Sequence, residues 1–469
     1  MLPEKSVSML ERLVVGAGAG CALLSLLIGP AAGLEMFGDG SIFSYAIAVR
    51  DAWGFHWHNI SGRIFSYIFV HVPAEAVVEL TGDARAGLFA YGLLHYAAPA
   101  LSLLTTRALD RTEGRPVFVF ACLSTAVTLP FVFGFPTEMW MTHALFWPAL
   151  AAALSVAPFA LLYGLLQSLV LTHEGGVVLA AAIVFAATFR GFRTYPFLQA
   201  LLAFFVAMIV WMFVKITLPP EPGVAGVLGA AAYKFIDPGN LADPAFLLLT
   251  SSLGAYLLLA FVIRRPSLAA GLVAISVAAY WLLFDGAMLA EARYMLRTVL
   301  LLAVPALGLL AALGALDESG LRTSPFAFVL RPLDTALGRL DGNLLAGALM
   351  VVLFVHAGET AKFVAAWLDY KGEIRALASG PNADPELGDP QFVSVRRLSE
   401  ASNRLTWHST VPYLSILVTP DLAPTRLVVD PTSGYFWLSC EAATRSAETA
   451  TAIPPSAREL IRRHACLSR

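Results

Sequence analysis

The chain has 469 residues, of which 58% are hydrophobic and 14% charged, with a mean hydropathy of +0.72; a soluble domain carries about 25% charged residues. The formal net charge is −2, and no basic tract could follow a phosphate backbone. These figures exclude a soluble globular enzyme, a disordered chain and a nucleic-acid binder, and leave an all-α polytopic membrane protein with room for roughly ten spans of about 20 residues.

The first apolar run, 13–33, follows Lys5 and Arg12. Ala31, Ala32 and Gly33 would suit a signal-peptide cleavage site. The run is long for a signal, however, and further spans follow at once, so we read it as a retained helix. A longer loop comes next, within which 41–53 reads as an interfacial amphipathic helix, with Phe43, Ile47 and Ala48 toward lipid. Further apolar runs lie at 87–105, 116–134, 144–172, 177–189, 197–215, 246–263, 267–284, 297–316 and 343–360.

Short loops between them are rich in arginine: Arg107, Arg111 and Arg115; Arg190 and Arg193; Arg264 and Arg265; Arg322, Arg331 and Arg339. Longer loops at 34–86, 216–245 and 285–296 carry His, Asp, Trp and Tyr. The positive-inside rule puts the arginine loops and the N-terminus in the cytoplasm, and the longer loops and the tail outside. If 144–172 is one helix, Arg190 and Arg193 fall on the wrong side. A break at Pro158 makes this run a hairpin and removes the conflict. It also puts His173 and Glu174 outside and predicts eleven crossings.

The sequence divides into a membrane domain, 1–360, and a polar C-terminal unit, 361–469. Strand-like runs at 413–418, 426–429 and 435–439 and a helix at 455–464 predict a small α+β domain. Cys440 and Cys466 lie in this unit and would pair in an oxidising compartment. Cys21 and Cys122 lie in apolar runs and read as inert core residues.

Groups able to do chemistry crowd the outer loops. Asp39 sits just beyond the first span, between two glycines, and Asp51 follows twelve residues later. A carboxylate at the wet edge of a bundle can act as a general base; the plain alternative is a solvated turn. His56 and His58 lie two apart. A divalent metal there would need further ligands, for which His71, Glu75 and His173 are candidates that no spacing selects. Arg293 and Arg297 share a helix face and suit a phosphate at headgroup depth, or simple snorkelling. Glu138 and Trp140 lie in another outer loop, where Trp is usually an anchor. His356, Glu359 and Lys362 share a face at the end of the last long run. His95 lies deep in an apolar run and reads as a core residue. No P-loop, no Gly-x-Ser-x-Gly elbow and no HExxH occurs.

In their order and shared side these features resemble the GT-C superfamily of membrane glycosyltransferases over residues 13–360. The matching features are Asp39 after the first span, the aromatic stretch that ends at Gly62-Arg63, Trp140 in a later outer loop, and Glu291-Ala292-Arg293-Tyr294. The single acid between two glycines departs from the paired acids of many members, which leaves Asp51 as the alternative base. The resemblance implies an inverting transfer from a polyprenyl-phosphate-linked sugar to a glycan, lipid or protein acceptor. The reaction would run at the periplasmic face of a bacterial inner membrane, with the C-terminal domain in the periplasm. Asp39 would serve as base. Substrate would be bound from His56, His58, Arg63, Glu138, Trp140, His173, Glu174, Glu291, Arg293, Tyr294 and Arg297. No cofactor is fixed by the sequence, and a divalent metal stays open. Rival readings are a lipid-linked glycan ligase, a transporter or flippase, and an acyltransferase built on His95. The clean span centres argue against transport.

Overall fold

The computed structural model describes residues 4–54, 63–132, 138–218, 244–284, 296–380, 389–430, 440–449 and 451–467, with positions 239, 242, 387 and 432. His56, His58, Glu291, Arg293 and Tyr294 lie outside the described residues, as does the side chain of Arg297.

The chain is a bundle of helices. In order these are α1 Glu4–Ala32, α2 Gly40–Val49, α3 Ile64–Thr81, α4 Ala84–Leu109, α5 Pro116–Val132, α6 Glu138–Leu154, α7 Phe159–Val170 and α8 Gly175–Ala187. There follow α9 Tyr195–Thr217, α10 Pro244–Ile263, α11 Pro266–Phe284, α12 Leu296–Gly314, α13 Glu318–Thr323, α14 Ala327–Leu337 and α15 Gly342–Ser379. Seven of them, α1, α3, α4, α9, α10, α11 and α15, are long and apolar enough to cross a membrane. Of the shorter helices, α5, α6, α7, α8 and α12 pack into the core, where Trp147, Leu150, Leu162, Leu166 and Ile183 are fully buried, whereas α13 buries none of its residues. Large apolar side chains on α9, α10 and α11 point outward, Phe261 at 81% exposure and Leu282 at 86%. That is the surface a lipid-facing helix presents.

The helices alternate between two ends of the bundle. The arginine loops collect at one end. The Arg111 N–H donates to Ser155 Oγ at 2.9 Å, and Gln199 Nε2 donates to the Ala157 carbonyl at 2.7 Å. Phe326, just before α14, packs its ring against Phe189 and Phe192. The run at 144–172 is broken as expected: α6 ends at Leu154, Pro158 caps α7, and α7 returns to the opposite end. There the Phe65 N–H donates to the Leu171 carbonyl at 3.2 Å. His173 and Glu174 therefore sit at the end that carries Asp39 and Arg63.

α15 is one helix of 38 residues, about 57 Å long, and it runs through position 360 into the C-terminal segment. That segment holds a two-stranded parallel sheet, β1 Phe392–Ser394 and β2 Leu427–Val429, with helices α16 Glu400–Leu405, α17 Val411–Leu417, α18 Cys440–Thr449 and α19 Pro455–Leu467. Cys440 and Cys466 form a disulfide. The strand expected at 413–418 is instead α17: Pro412 occupies its first turn and the whole helix is buried. A short, continuously apolar run carries no periodicity to separate strand from helix, and proline at a helix start favours the helix. The expected strand at 435–439 lies outside the described residues.

The C-terminal segment also corrects the reading of 41–53. All ten residues of α2 are buried, including Phe43, Ile47 and Ala48. They face protein, not lipid. Tyr45 packs its ring 5.3 Å from that of Tyr413 on α17, and Ser41 Oγ donates to the Thr410 carbonyl at 3.2 Å. Ile416, Leu417 and Leu427 share this core.

Candidate functional site

At the end opposite the arginine loops, four segments far apart in sequence bring charged side chains together. Arg63 precedes α3 and is 8% exposed. Its Nη1 donates to Glu138 Oε2 at 3.0 Å, while Nη2 and Nε donate to Glu174 Oε2 at 2.9 and 3.3 Å. Glu138 opens α6 and Glu174 caps α8. Carboxylates at helix starts are favoured by the helix dipole, which helps explain why both stand there. Lys215, in the last turn of α9, completes the cluster by donating from Nζ to Glu174 Oε1 at 2.8 Å. The His173 Nδ1 accepts the Gly175 N–H at 2.9 Å, so that nitrogen is unprotonated in this arrangement.

These contacts set the charge states. Burial works against the Arg63 charge, but Glu174 and Glu138 outweigh it and raise its pKa further. Burial pushes the Glu174 carboxyl upward, yet the cations around it, Arg63 foremost, hold it well below the usual carboxylate range. Arg63 and Glu174 are therefore both ionised at neutral pH. A buried pair of this kind contributes little net stability, but losing one partner strands a buried charge.

Asp39 caps α2 after Gly38, which has a left-handed φ of 59°. Its charge acts on Arg63 and on the buried Tyr91 of α4. Asp51 stands beyond the other end of α2, whose ten residues span about 15 Å. The two acids therefore cannot serve one proton, and only Asp39 is coupled to Arg63.

Of the residues singled out in the sequence, Asp39, Arg63, Glu138, His173 and Glu174 come together. Trp140 does not present a surface: it is 2% exposed and stacks on His143 at 4.7 Å and 8°. The helix turns it into the core that also holds Trp147. His71 lies among the rings of Phe43, Tyr67 and Tyr91. His95 stands against Tyr91 and Tyr96. His356 contacts the Val127 carbonyl at 2.9 Å, and Glu359 pairs with Lys362 at 3.4 Å. Among the described residues no three His, Cys, Asp or Glu side chains gather as metal ligands would.

Two site residues escaped the sequence reading. Lys215 closes a long apolar run, where a lone lysine reads as a snorkelling end residue; its meaning appears only once Glu174 is brought to it. Glu35, between α1 and Asp39, is 4% exposed, and among the described residues its Oε2 has no hydrogen-bond partner. Its carboxyl lies against Gly92, where an added Cβ would stand 2.7 Å from Oε2. Burial pushes its pKa up to about 8, although Lys371 pulls the other way.

The fold and site together define a multi-span helical membrane protein with a paired ionic cluster at one end of its bundle. The sequence matches no known protein-family model and no curated protein.

Proposed function

We propose that the protein is a membrane glycosyltransferase that moves a sugar from a polyprenyl-phosphate donor to an acceptor hydroxyl with inversion. The observation that carries this reading is the convergence of Asp39, Arg63, Glu138, His173 and Glu174 from separate segments at the end that also bears the disulfide-linked C-terminal segment. The arginine-rich end then faces the cytoplasm and the site end the periplasm of a bacterial inner membrane. Eleven helices cross: α1, α4 to α12 and α15. α3 stays at the site end, because one of its ends meets Glu174 through Arg63, and Arg85, just past the other, donates to the Thr419 carbonyl of the C-terminal segment at 2.7 Å.

In this mechanism the lipid tail of the donor stays in the bilayer beside α9, where Met212, Phe213 and Ile216 are exposed around Lys215. Lys215, with Arg63 behind it across Glu174, offers positive charge to the donor phosphate. Glu138 and Glu174 fix the Arg63 guanidinium, so its field is preorganised. Asp39 takes the acceptor hydroxyl proton as the acceptor oxygen bonds to the anomeric carbon. The bond from that carbon to the phosphate oxygen breaks, and its electron pair leaves with the polyprenyl phosphate. Orientation supplies much of the rate for so weak a base.

The test is turnover of a labelled polyprenyl-phosphate sugar panel by the protein in nanodiscs. Wild type should release or transfer the sugar. Asp39→Asn should lose about 100-fold or more, the usual contribution of a general base, with an unchanged melting temperature. A fully active Asp39→Asn protein would sink the base assignment. No turnover of monophosphate donors, with activity on diphosphate-linked ones, would favour a lipid-linked glycan ligase.

A further inference from the structure

α2 ends in a tight left-handed turn. Arg50 has a φ of 57°, and the Asp51 N–H donates back to the Ala46 carbonyl at 3.0 Å. Such a terminus redirects the chain sharply: Ala52 stays fully buried in the core while Trp53 comes to the surface. Three ties hold the result in place. Arg50 pairs with Glu79 of α3. Glu75 Oε1, also on α3, accepts the Ala52 N–H at 2.7 Å. From the C-terminal segment, Arg445 on α18 brings Nη2 to 4.0 Å from Asp51 Oδ2.

Trp53 stands on this platform. It is 41% exposed and its ring lies 4.9 Å from that of Tyr67. The Tyr67 phenol is within electrostatic reach of both Glu75 and Asp51. The group thus brings together a part-exposed indole, a phenol, two carboxylates and a guanidinium.

That set matches one ligand chemistry. An indole face packs against the C–H face of a sugar ring. Carboxylates accept from neighbouring hydroxyls, and a guanidinium donates to them. Three acids, Asp51, Glu75 and Glu79, face two cations, Arg50 and Arg445. The net negative charge disfavours phosphate and uronate.

The location fits as well. Tyr67 is one turn along α3 from Arg63, its N–H donating to the Arg63 carbonyl at 3.4 Å. One turn is about 5 Å, close to the width of one sugar ring.

From this geometry we infer that Trp53, Tyr67, Asp51, Glu75 and Arg445 form a subsite for the neutral saccharide acceptor, with one wall supplied by the C-terminal segment. The inference rests on the glycosyltransferase reading and gives that segment a role in it: α18, held to α19 by Cys440–Cys466, delivers Arg445.

The test uses full-length protein in nanodiscs and the variants Trp53→Ala and Arg445→Ala. Saturation-transfer NMR reads binding of gluco-, manno-, galacto- and arabino-oligosaccharides, with an oligogalacturonide for comparison, and needs no donor. Transfer kinetics with the labelled donor panel read acceptor KM and donor KM separately. At least one neutral oligosaccharide should bind wild type. Each variant should raise acceptor KM by about tenfold, the loss of one good contact, while donor KM holds. Equal acceptor KM in all three proteins would overturn the subsite, as would preference for the oligogalacturonide or absence of binding across the neutral panel. Trp53-dependent binding without donor turnover would leave the subsite standing and overturn the transferase reading.

Discussion

Glu35 has a folded-state pKa of about 8, against a usual 4.5, and that difference is a statement about stability. Below pH 4.5 the carboxyl is protonated whether the chain is folded or not, and the contribution is fully present. Between the two values the unfolded chain has lost its proton and the folded one keeps it. Stability therefore falls with rising pH by about 1.4 kcal/mol per unit from this group, and levels off above pH 8. Facing it are Lys371 on α15, Tyr91 on α4 and the nearby Asp39. We expect Glu35→Gln to flatten the wild-type slope between pH 5 and pH 8 in thermal or denaturant unfolding. Parallel slopes for the two proteins would show that Glu35 is already charged in the fold.

The residue scale also shows what a sequence can carry. Asp39, Arg63, Glu138, His173 and Glu174 were legible because ionisable groups stand out against apolar spans, and the side-counting argument put them at one end. Their pairing was not legible, since it depends on which helices are neighbours. The burial of Trp140 was not legible for the same reason: sequence gives its depth along α6 but not its rotation about the helix axis.

At the scale of elements, close helix approach is set by small residues. An added Cβ at Gly18 of α1 would stand 2.5 Å from the backbone of Cys122 on α5, whereas one at Gly20 would meet nothing within 4 Å. Gly18→Ala should therefore cost about 1–3 kcal/mol through forced separation of the two helices. Gly20→Ala should be neutral or slightly stabilising, because alanine is the better helix former. Melting temperatures of the two variants in the same detergent make the comparison, and equal values would contradict the packing. The broken helix at Pro158 was legible, since proline and the side count agreed. α17 was not: a buried seven-residue apolar stretch looks the same as strand or helix, and only its seat on α2 decides.

For the molecule as a whole, the bundle and the C-terminal segment are joined by α15, by α2 under α17, and by Arg375 Nε donating to the Val418 carbonyl at 2.7 Å. The disulfide closes a stretch of 26 residues. The chain-entropy argument gives such a closure about 3.5 kcal/mol. A Cys440→Ala, Cys466→Ala double variant should lose stability of that order, seen first as protease cleavage around α18 and α19 while the bundle stays intact. Unchanged proteolysis would mean that packing of α19 through Leu460 and Ile461 alone holds the segment.

The burial of α2 has a consequence in time. α2 is complete when residue 49 has been made, but its cover, α17, begins at residue 411. At 5–20 residues per second the ribosome needs roughly 20 to 70 s to make the stretch between them. For that interval the apolar helix is seated on α3 and α4 but lacks its α17 cover. A nascent chain arrested in that window should bind holding chaperones through α2, and release should coincide with completion of the C-terminal segment.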